Sequence, residues 1–222
     1  MMLAQIVTET PVTSTNQAIS MWELAMAGGP LMIPLVLCSV IAIYIFVERI
    51  LMINKANVSS DAFMGRIKEL VLKGDINGAK ILCSQHDTPV ARMIEKGVSR
   101  IGSPLKNIEA SIENVGKIEV FRLEKNLSVL ATIAGAAPMI GFLGTVIGMV
   151  SAFIAIAQEE GSVSPKLLAD GIYTAMVTTV AGLMVGIIAY LGYNFLVTRV
   201  SKVVHRMEYS SIEFIDLLQE PN

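Results

Sequence analysis

No Asp, Glu, Lys or Arg occurs between Asn126 and Gln158, and none between Leu24 and Val47. Charged residues make up 16% of the 222-residue chain, against about 25% in an average soluble protein. Mean hydropathy is +0.61 and 53% of the residues are hydrophobic. This balance excludes an ordinary soluble domain, and the chain reads as an integral membrane protein with the lipid bilayer as its solvent. Net charge is −2, without the basic excess that nucleic acid attracts, so no nucleic-acid partner is expected.

Other scarcities exclude chemistry. Of the two cysteines, Cys38 sits in an apolar run and Cys83 in a polar one. Their settings argue against a disulfide, and neither has metal-ligand spacing. His86 and His205 are far apart and read as solvated surface residues rather than ligands. There is no P-loop, no HExxH, no Gly-rich nucleotide fingerprint and no nucleophile–base–orienter set. The expectation is a protein without cofactor or metal, and not an enzyme. Met1–Ser20 lacks the basic start and apolar core of a secretory signal peptide, so the N-terminus is expected to be retained.

What is present is long apolar helix. About twenty apolar residues cross a bilayer, and Asn126–Gln158 exceeds that. Wound as a helix, it places Gly141, Gly144, Thr145, Gly148 and Ala152 on one side. A second stripe, Ala175, Thr179, Gly182, Gly186 and Ala189, follows the same spacing in Gly171–Thr198. In lipid, small residues let helix backbones approach closely, so Gly141, Gly144, Gly148, Gly182 and Gly186 are assigned to helix packing. Two readings stand for the threonines. They line a polar path, or each hydroxyl bonds a carbonyl one turn back in its own helix.

Taken in order, Trp22 suits a membrane interface, Gly28, Gly29 and Pro30 break or kink the backbone, and the charge-free run Leu24–Val47, dense in Leu, Ile and Val from Leu31 onward, reads as the first span, with Pro34 an early kink. Glu48 and Arg49 close it. In the polar middle segment, Ser59 or Ser60 is expected to cap a helix bearing Phe63, Ile67, Leu70 and Val71. Lys73-Gly74-Asp75 ends that helix and Asp75 caps the next. Thr88-Pro89 and Ser103-Pro104 read as cap plus first-turn proline. Ile108, Ile112, Val115 and Ile118/Val120 then recur at helical spacing with no breaker ahead of the second span, which predicts one helix from about Pro104 to about Ala157. Ser164-Pro165 opens the third span, with Asp170 near its start. Beyond Arg199 the stripe Val200, Val203, Val204, Met207, Phe214, Ile215 and Leu218 predicts a packed stalk.

The middle segment, the C-terminal tail and Arg49 hold 16 of the 17 Lys and Arg residues, and the first 30 residues hold none. The excess of Lys and Arg on cytoplasmic loops puts the N-terminus outside and the tail inside. The expected fold class is an all-α membrane protein with three transmembrane helices, the second and third extended into the cytoplasm as a helical bundle. The expected division is a periplasmic segment over 1–23, span one over 24–52 and a cytoplasmic helical segment over 53–127. Span two over 128–157, a periplasmic loop over 158–166, span three over 167–198 and a cytoplasmic helix over 199–222 complete it. Spans two and three carry hydroxyls (Thr145, Ser151, Thr174, Thr178, Thr179) but no carboxylate, Lys, Arg or His at mid-membrane depth. If protons cross here, another subunit must supply the titrating group.

Gly-x-x-Gly-Thr-Val-x-Gly at Gly141–Gly148, after Ala137-Pro138, resembles the second span of the ExbB/TolQ proton-channel proteins, which are related to MotA. Gly171-Ile172, Ala175, Thr178-Thr179 and Gly182-Leu183 resemble their third span. Gly74-Asp75, Ala79 and Ser84–Ala91 are similar to their cytoplasmic segment. The likeness covers nearly the whole chain beyond the N-terminal tail, and three spans fit the ExbB-like (biopolymer transport) branch better than four-span MotA. The resemblance implies a homo-oligomeric ring, a pentamer, in the bacterial inner membrane. The ring would surround single-span helices of an ExbD- or TolR-like partner whose aspartate carries the proton, and proton-motive force would drive a TonB- or TolA-like protein. It also implies pore-lining roles for Thr145 and Thr179, with Thr174 and Thr178 alongside. Many family members carry glutamate where this chain has Thr174, which would leave the partner's aspartate as the sole titrating group at membrane depth. The rival readings are a TolQ-like, gliding or secretion stator and, in another class, a membrane scaffold that moves no ions.

Overall fold

The structure, a computed structural model, describes residues 28–56, 60–158 and 165–219. The expectations placed on Met1–Ser20, Trp22, Ser59 and Ser164 lie outside the described residues. Within them the chain is all-α. Helices α1 (Met32–Ala56), α2 (Ser60–Leu72), α3 (Ile76–Gln85), α4 (Pro89–Val98), α5 (Leu105–Glu124), α6 (Leu127–Gln158) and α7 (Pro165–Gln219) follow in order. Three stretches are long and apolar enough to cross a membrane: α1, the apolar part of the α5–α6 stretch, and α7 from Leu168.

Helix α7 runs unbroken for 55 residues, about 82 Å at 1.5 Å per residue. It is the spine against which the other long helices pack. Along it α6 lies at closest range, α1 crosses both, and α4 and α5 pack on its polar half. The polar bundle has its own core, where Ile67, Ala91, Ile94, Ile112 and Phe214 are fully buried. On the stalk stripe Val200, Val203, Met207 and Phe214 are buried, while Val204, Ile215 and Leu218 are half-buried. The bundle closes tightly at Gly97, where a Cβ would come within 2.7 Å of both Ile112 and Phe214.

The short helices are punctuated by local chemistry. Gly74 takes φ +74 and ends α2 with paired bonds, Gly74 N–H to the Val71 carbonyl and Asp75 N–H to the Leu70 carbonyl, the arrangement that satisfies a helix's last carbonyls. Asp75 then caps α3 by accepting from Gly78 N–H at 2.8 Å. Thr88 caps α4 by accepting from Ala91 N–H, with Pro89 in the first turn.

Several expectations fail here. Ser103-Pro104 does not repeat the Thr88-Pro89 device: Pro104 itself is the N-cap of α5, with no side-chain cap bond. Gly102 at φ +96 turns the chain so that Ser103 N–H bonds back to the Arg100 carbonyl. The single helix predicted from Pro104 to Ala157 is interrupted. Lys125 is extended and Asn126 takes φ +64, a left-handed conformation that Asn tolerates better than most residues. At the end of the α5 stripe Ile118 is 54% exposed, and the buried position beside it is Glu119. His86 is not freely solvated. Its Nδ1 lies 3.0 Å from the Leu82 carbonyl and its ring packs on Phe63.

Cys83 is buried and free. Burial, with the Glu95 charge nearby, pushes its thiol up to about 12. Because the thiolate is the reactive form, iodoacetamide at pH 8 should modify Cys83 at least roughly a thousandfold more slowly in the folded protein than in the denatured chain. Mass analysis of timed samples measures this, and equal rates would show that the α3–α4 packing opens freely.

Candidate proton-path surface

The contact between α6 and α7 is made by glycines. A Cβ on Gly182 would meet the Ala137 carbonyl oxygen at 2.6 Å and the Gly141 Cα at 2.8 Å. On Gly141 it would meet the Thr178 carbonyl oxygen and the Cα atoms of Thr179 and Gly182 at 3.1–3.2 Å. One on Gly144 would strike the Thr178 methyl at 2.5 Å, and one on Gly148 the Ala175 Cβ at 2.8 Å. Gly186 receives the ring of Pro138, with Cγ at 2.5 Å from the added carbon. Pro138 sits inside α6 and has no N–H to give the Ala134 carbonyl. That same oxygen faces Gly186 at 3.2 Å from its would-be Cβ.

The four threonines have different surroundings. Thr178 is 1% exposed. Its hydroxyl bridges the Gly28 carbonyl, ahead of α1, and the Thr174 carbonyl, each at 3.0 Å. It thus ties the start of the first span to α7 and lies inside the protomer. Thr174 is half-buried one turn away. Thr179 is half-buried and donates across the helix contact to the Gly141 carbonyl at 3.0 Å. Thr145 is half-buried at the edge of the glycine face and donates to the Phe142 carbonyl of its own helix at 2.6 Å. The two readings of the hydroxyls therefore divide: Thr145 bonds within its helix, Thr179 between helices.

At the other end of this unit is a charge cluster that hydrophobic periodicity could not reveal. Arg49, 3% exposed, donates from Nη1 to the Arg122 carbonyl at 3.0 Å and from Nη2 to Glu48 at 2.5 Å. The Arg122 carbonyl lies in the last turn of α5, where a helix leaves its carbonyls without backbone partners. Arg49 thus supplies both the missing donor and a cation at the negative helix end. Glu119, also 3% exposed, accepts from Arg92 Nη2 at 2.6 Å and Arg122 Nη1 at 2.8 Å. Arg92 also pairs with Asp87, which Lys55 bonds at 2.7 Å. The Glu119 carboxylate raises the Arg92 guanidinium above its ordinary value, and Lys55 followed by Arg92 holds Asp87 below the usual carboxylate range. The one sequence signal for the cluster was a glutamate interrupting an apolar stripe. Among the described residues no group of His, Cys, Asp and Glu is placed to hold a metal ion.

The sequence model of the MotA/TolQ/ExbB proton channel family matches residues 85–209, from the end of α3 into α7. The chain belongs to this family. As a member it is a multi-pass membrane protein, and the matched region carries the glycine contact and, in Arg92, Glu119 and Arg122, part of the charge cluster, to which α1 adds Glu48, Arg49 and Lys55. It is 31% identical over 176 residues to a putative biopolymer transport protein ExbB homolog of Methanothermobacter thermautotrophicus, covering 78% of this chain and 62% of that protein, less than two thirds of its length. It is 25% identical over 207 residues to biopolymer transport protein exbB1 of Vibrio cholerae, covering 90% and 89%. Biopolymer transport protein ExbB of Aquifex aeolicus is 34% identical over 137 residues, 62% of this chain and 86% of that one. No ionisable group occurs from Asn126 to Gln158, and no carboxylate, Lys, Arg or His from Gly171 to Thr198.

Proposed function

We propose that this chain is the ring-forming proton-channel subunit of an energy-transducing complex in the bacterial inner membrane, with its N-terminus periplasmic and its C-terminus cytoplasmic. It would assemble with copies of itself, as a pentamer by family resemblance, around the single span of an ExbD- or TolR-like partner. Proton-motive force would then be passed to a TonB- or TolA-like protein. The observation that carries the reading is the disposition of Thr145 and Thr179. Each hydroxyl donates to a carbonyl of its own protomer, which leaves oxygen lone pairs as the group on offer. A protonated carboxyl can donate to such acceptors; an ionised carboxylate, being acceptor-only, cannot. The threonines would favour a partner's aspartate in its protonated form and release it on ionisation.

Thr145→Val and Thr179→Val should therefore assemble normally yet lower partner-dependent proton flux. A hydrogen bond between membrane helices contributes about 0.6–1.7 kcal/mol, so each variant should lose roughly 3- to 20-fold, read in liposomes with the partner present. Full flux in both variants would leave the hydroxyls with packing alone. Purification from native membranes in mild detergent should bring along a small single-span protein with an aspartate in its span. A pure homo-oligomer without flux would favour the scaffold.

A further inference from the structure

Between α1 and α7, at the depth of the apolar spans, runs a recess of about 460 Å³. Ala42 and Phe46 line it from α1, and Ala181, Val185, Ile188 and Gly192 from α7. Ser39 is the one hydroxyl on its lining. From Ala181 to Gly192 the recess is about 16 Å long at 1.5 Å per residue, close to half of a hydrocarbon core of about 30 Å. Gly192 makes room at its polar-bundle end: a Cβ there would meet Phe46 Cδ2 at 3.1 Å. Phe46 in turn packs on Phe195, with ring centroids 6.4 Å apart. The α7 face that lines the recess does not end with it. The alternation of four- and three-residue steps that joins Ala181, Val185, Ile188 and Gly192 continues to Phe195, Arg199 and Lys202, so these side chains share one face. Arg199 is the first charge on α7 after Asp170 and stands where the helix leaves the hydrocarbon. Its guanidinium lies over the Phe195 ring, 5.1 Å from the centroid, a contact that holds the cation just beyond the recess. Arg199 and Lys202 are exposed, and no Asp or Glu occurs from Gly171 to Met207 to neutralise them along the helix.

We infer that the α1–α7 recess is a binding site for an anionic phospholipid of the leaflet that borders the polar bundle. One acyl chain lies in the recess and the phosphate meets Arg199 and Lys202. Three observations select this occupant. The site is one leaflet long. It passes from apolar lining to two cations along a single helix face, which is the order of polarity in a phospholipid. It is also narrow: 460 Å³ over about 16 Å is a cross-section of about 29 Å², roughly 6 Å wide. That admits an extended hydrocarbon chain, whereas a helix with its side chains needs about 10–12 Å. Basic groups at the membrane border between transmembrane helices attract anionic headgroups. The inference needs only that the chain spans a bilayer and does not rest on proton conduction.

The full-length protein would be reconstituted in phosphatidylcholine vesicles holding a trace of phosphatidylglycerol with a photoactivatable diazirine near the end of one acyl chain. After illumination, labelled residues are located by mass spectrometry. Label is expected on Ala42, Ala181 and Val185 in preference to Phe142, which is exposed and lies at similar depth because its neighbour Gly141 packs on Gly182. The same probe with a phosphatidylcholine headgroup should label the recess less. Arg199→Gln and Lys202→Gln should each lower labelling by about fivefold; both side chains are exposed, so the fold should be kept, as size exclusion would check. Ala181→Phe, which fills the deep end, should lower labelling of Ala42 and Val185 with both cations in place. Equal labelling of Phe142 and the recess, or labelling indifferent to headgroup and to both glutamine variants, would show lipid acting only as solvent and overturn the site. A recess left unlabelled in an oligomer would show that a neighbouring chain covers it, which overturns the site as well. Partner-dependent proton flux in the same vesicles stands or falls separately.

Discussion

Gly182→Ala is expected to disrupt the pairing of α6 with α7, although it adds a single methyl group. The added carbon would lie 2.6 Å from the Ala137 carbonyl oxygen and 2.8 Å from the Gly141 Cα. Both are backbone atoms of a helix and cannot be relieved by a rotamer change. Overpacking a tight interior costs about 1–3 kcal/mol, and with backbone on the receiving side the upper end applies. Forcing the helices apart also stretches the Thr179–Gly141 bond, about 0.6–1.7 kcal/mol more. A loss of about 4 kcal/mol lowers the midpoint of thermal unfolding of a chain this size by roughly 8–16 °C. Gly135→Ala on the partner helix α6 is the control. It is exposed and a Cβ there meets nothing within 4 Å, so its midpoint should stay within about 2 °C of the parent. Thermal stability in detergent by fluorescence-detected size exclusion measures both, and equal behaviour would remove the close contact from the account of this fold.

The second large effect is expected at Arg92. Arg92→Met takes one of two partners from the Glu119 carboxylate, which is 3% exposed and keeps only Arg122 at 2.8 Å. Breaking a buried ion pair from one side costs about 3–5 kcal/mol. The remaining Arg122 bond, and the 31% exposure of the Arg92 side chain, reduce this to about 2–3 kcal/mol. The decisive comparison is the double variant. Arg92→Met with Glu119→Leu leaves no carboxylate buried, and Arg122, 55% exposed, remains in reach of water. The double variant should recover most of the lost stability. If the two losses simply add, the cluster is a set of independent surface contacts and does not hold α4 to α5.

Physically, glycines and ion pairs differ in what makes them legible. The glycine stripes were visible because three- and four-residue spacing is a property of one helix alone, and Gly141, Gly144, Gly148, Gly182 and Gly186 line the α6–α7 contact in the structure. The cluster was not visible, because Arg49, Arg92, Glu119 and Arg122 come from three helices far apart in sequence. Only Glu119 and Arg122 stand at i,i+3 on one helix; no spacing announces that Arg49 and Arg92 join them.

The sequence by itself determined the class of fold. Long charge-free runs require helices that satisfy their own backbone in lipid, and the capping residues Asp75 and Thr88 with the turn at Gly74 are local chemistry that needs no tertiary partner. Only the tertiary structure decided three other things. The helix expected from Pro104 to Ala157 parts at Lys125–Asn126, because Arg49 from α1 supplies a donor to the α5 carbonyl at Arg122 and Asn126 tolerates the left-handed turn. Thr178 lies inside the protomer, because the Gly28 carbonyl comes from 150 residues away to receive its proton. Glu119 is buried and Ile118 exposed, against their polarity, because two arginines from different helices compensate the carboxylate. In each case local preference was weaker than a partner that distance along the chain had hidden.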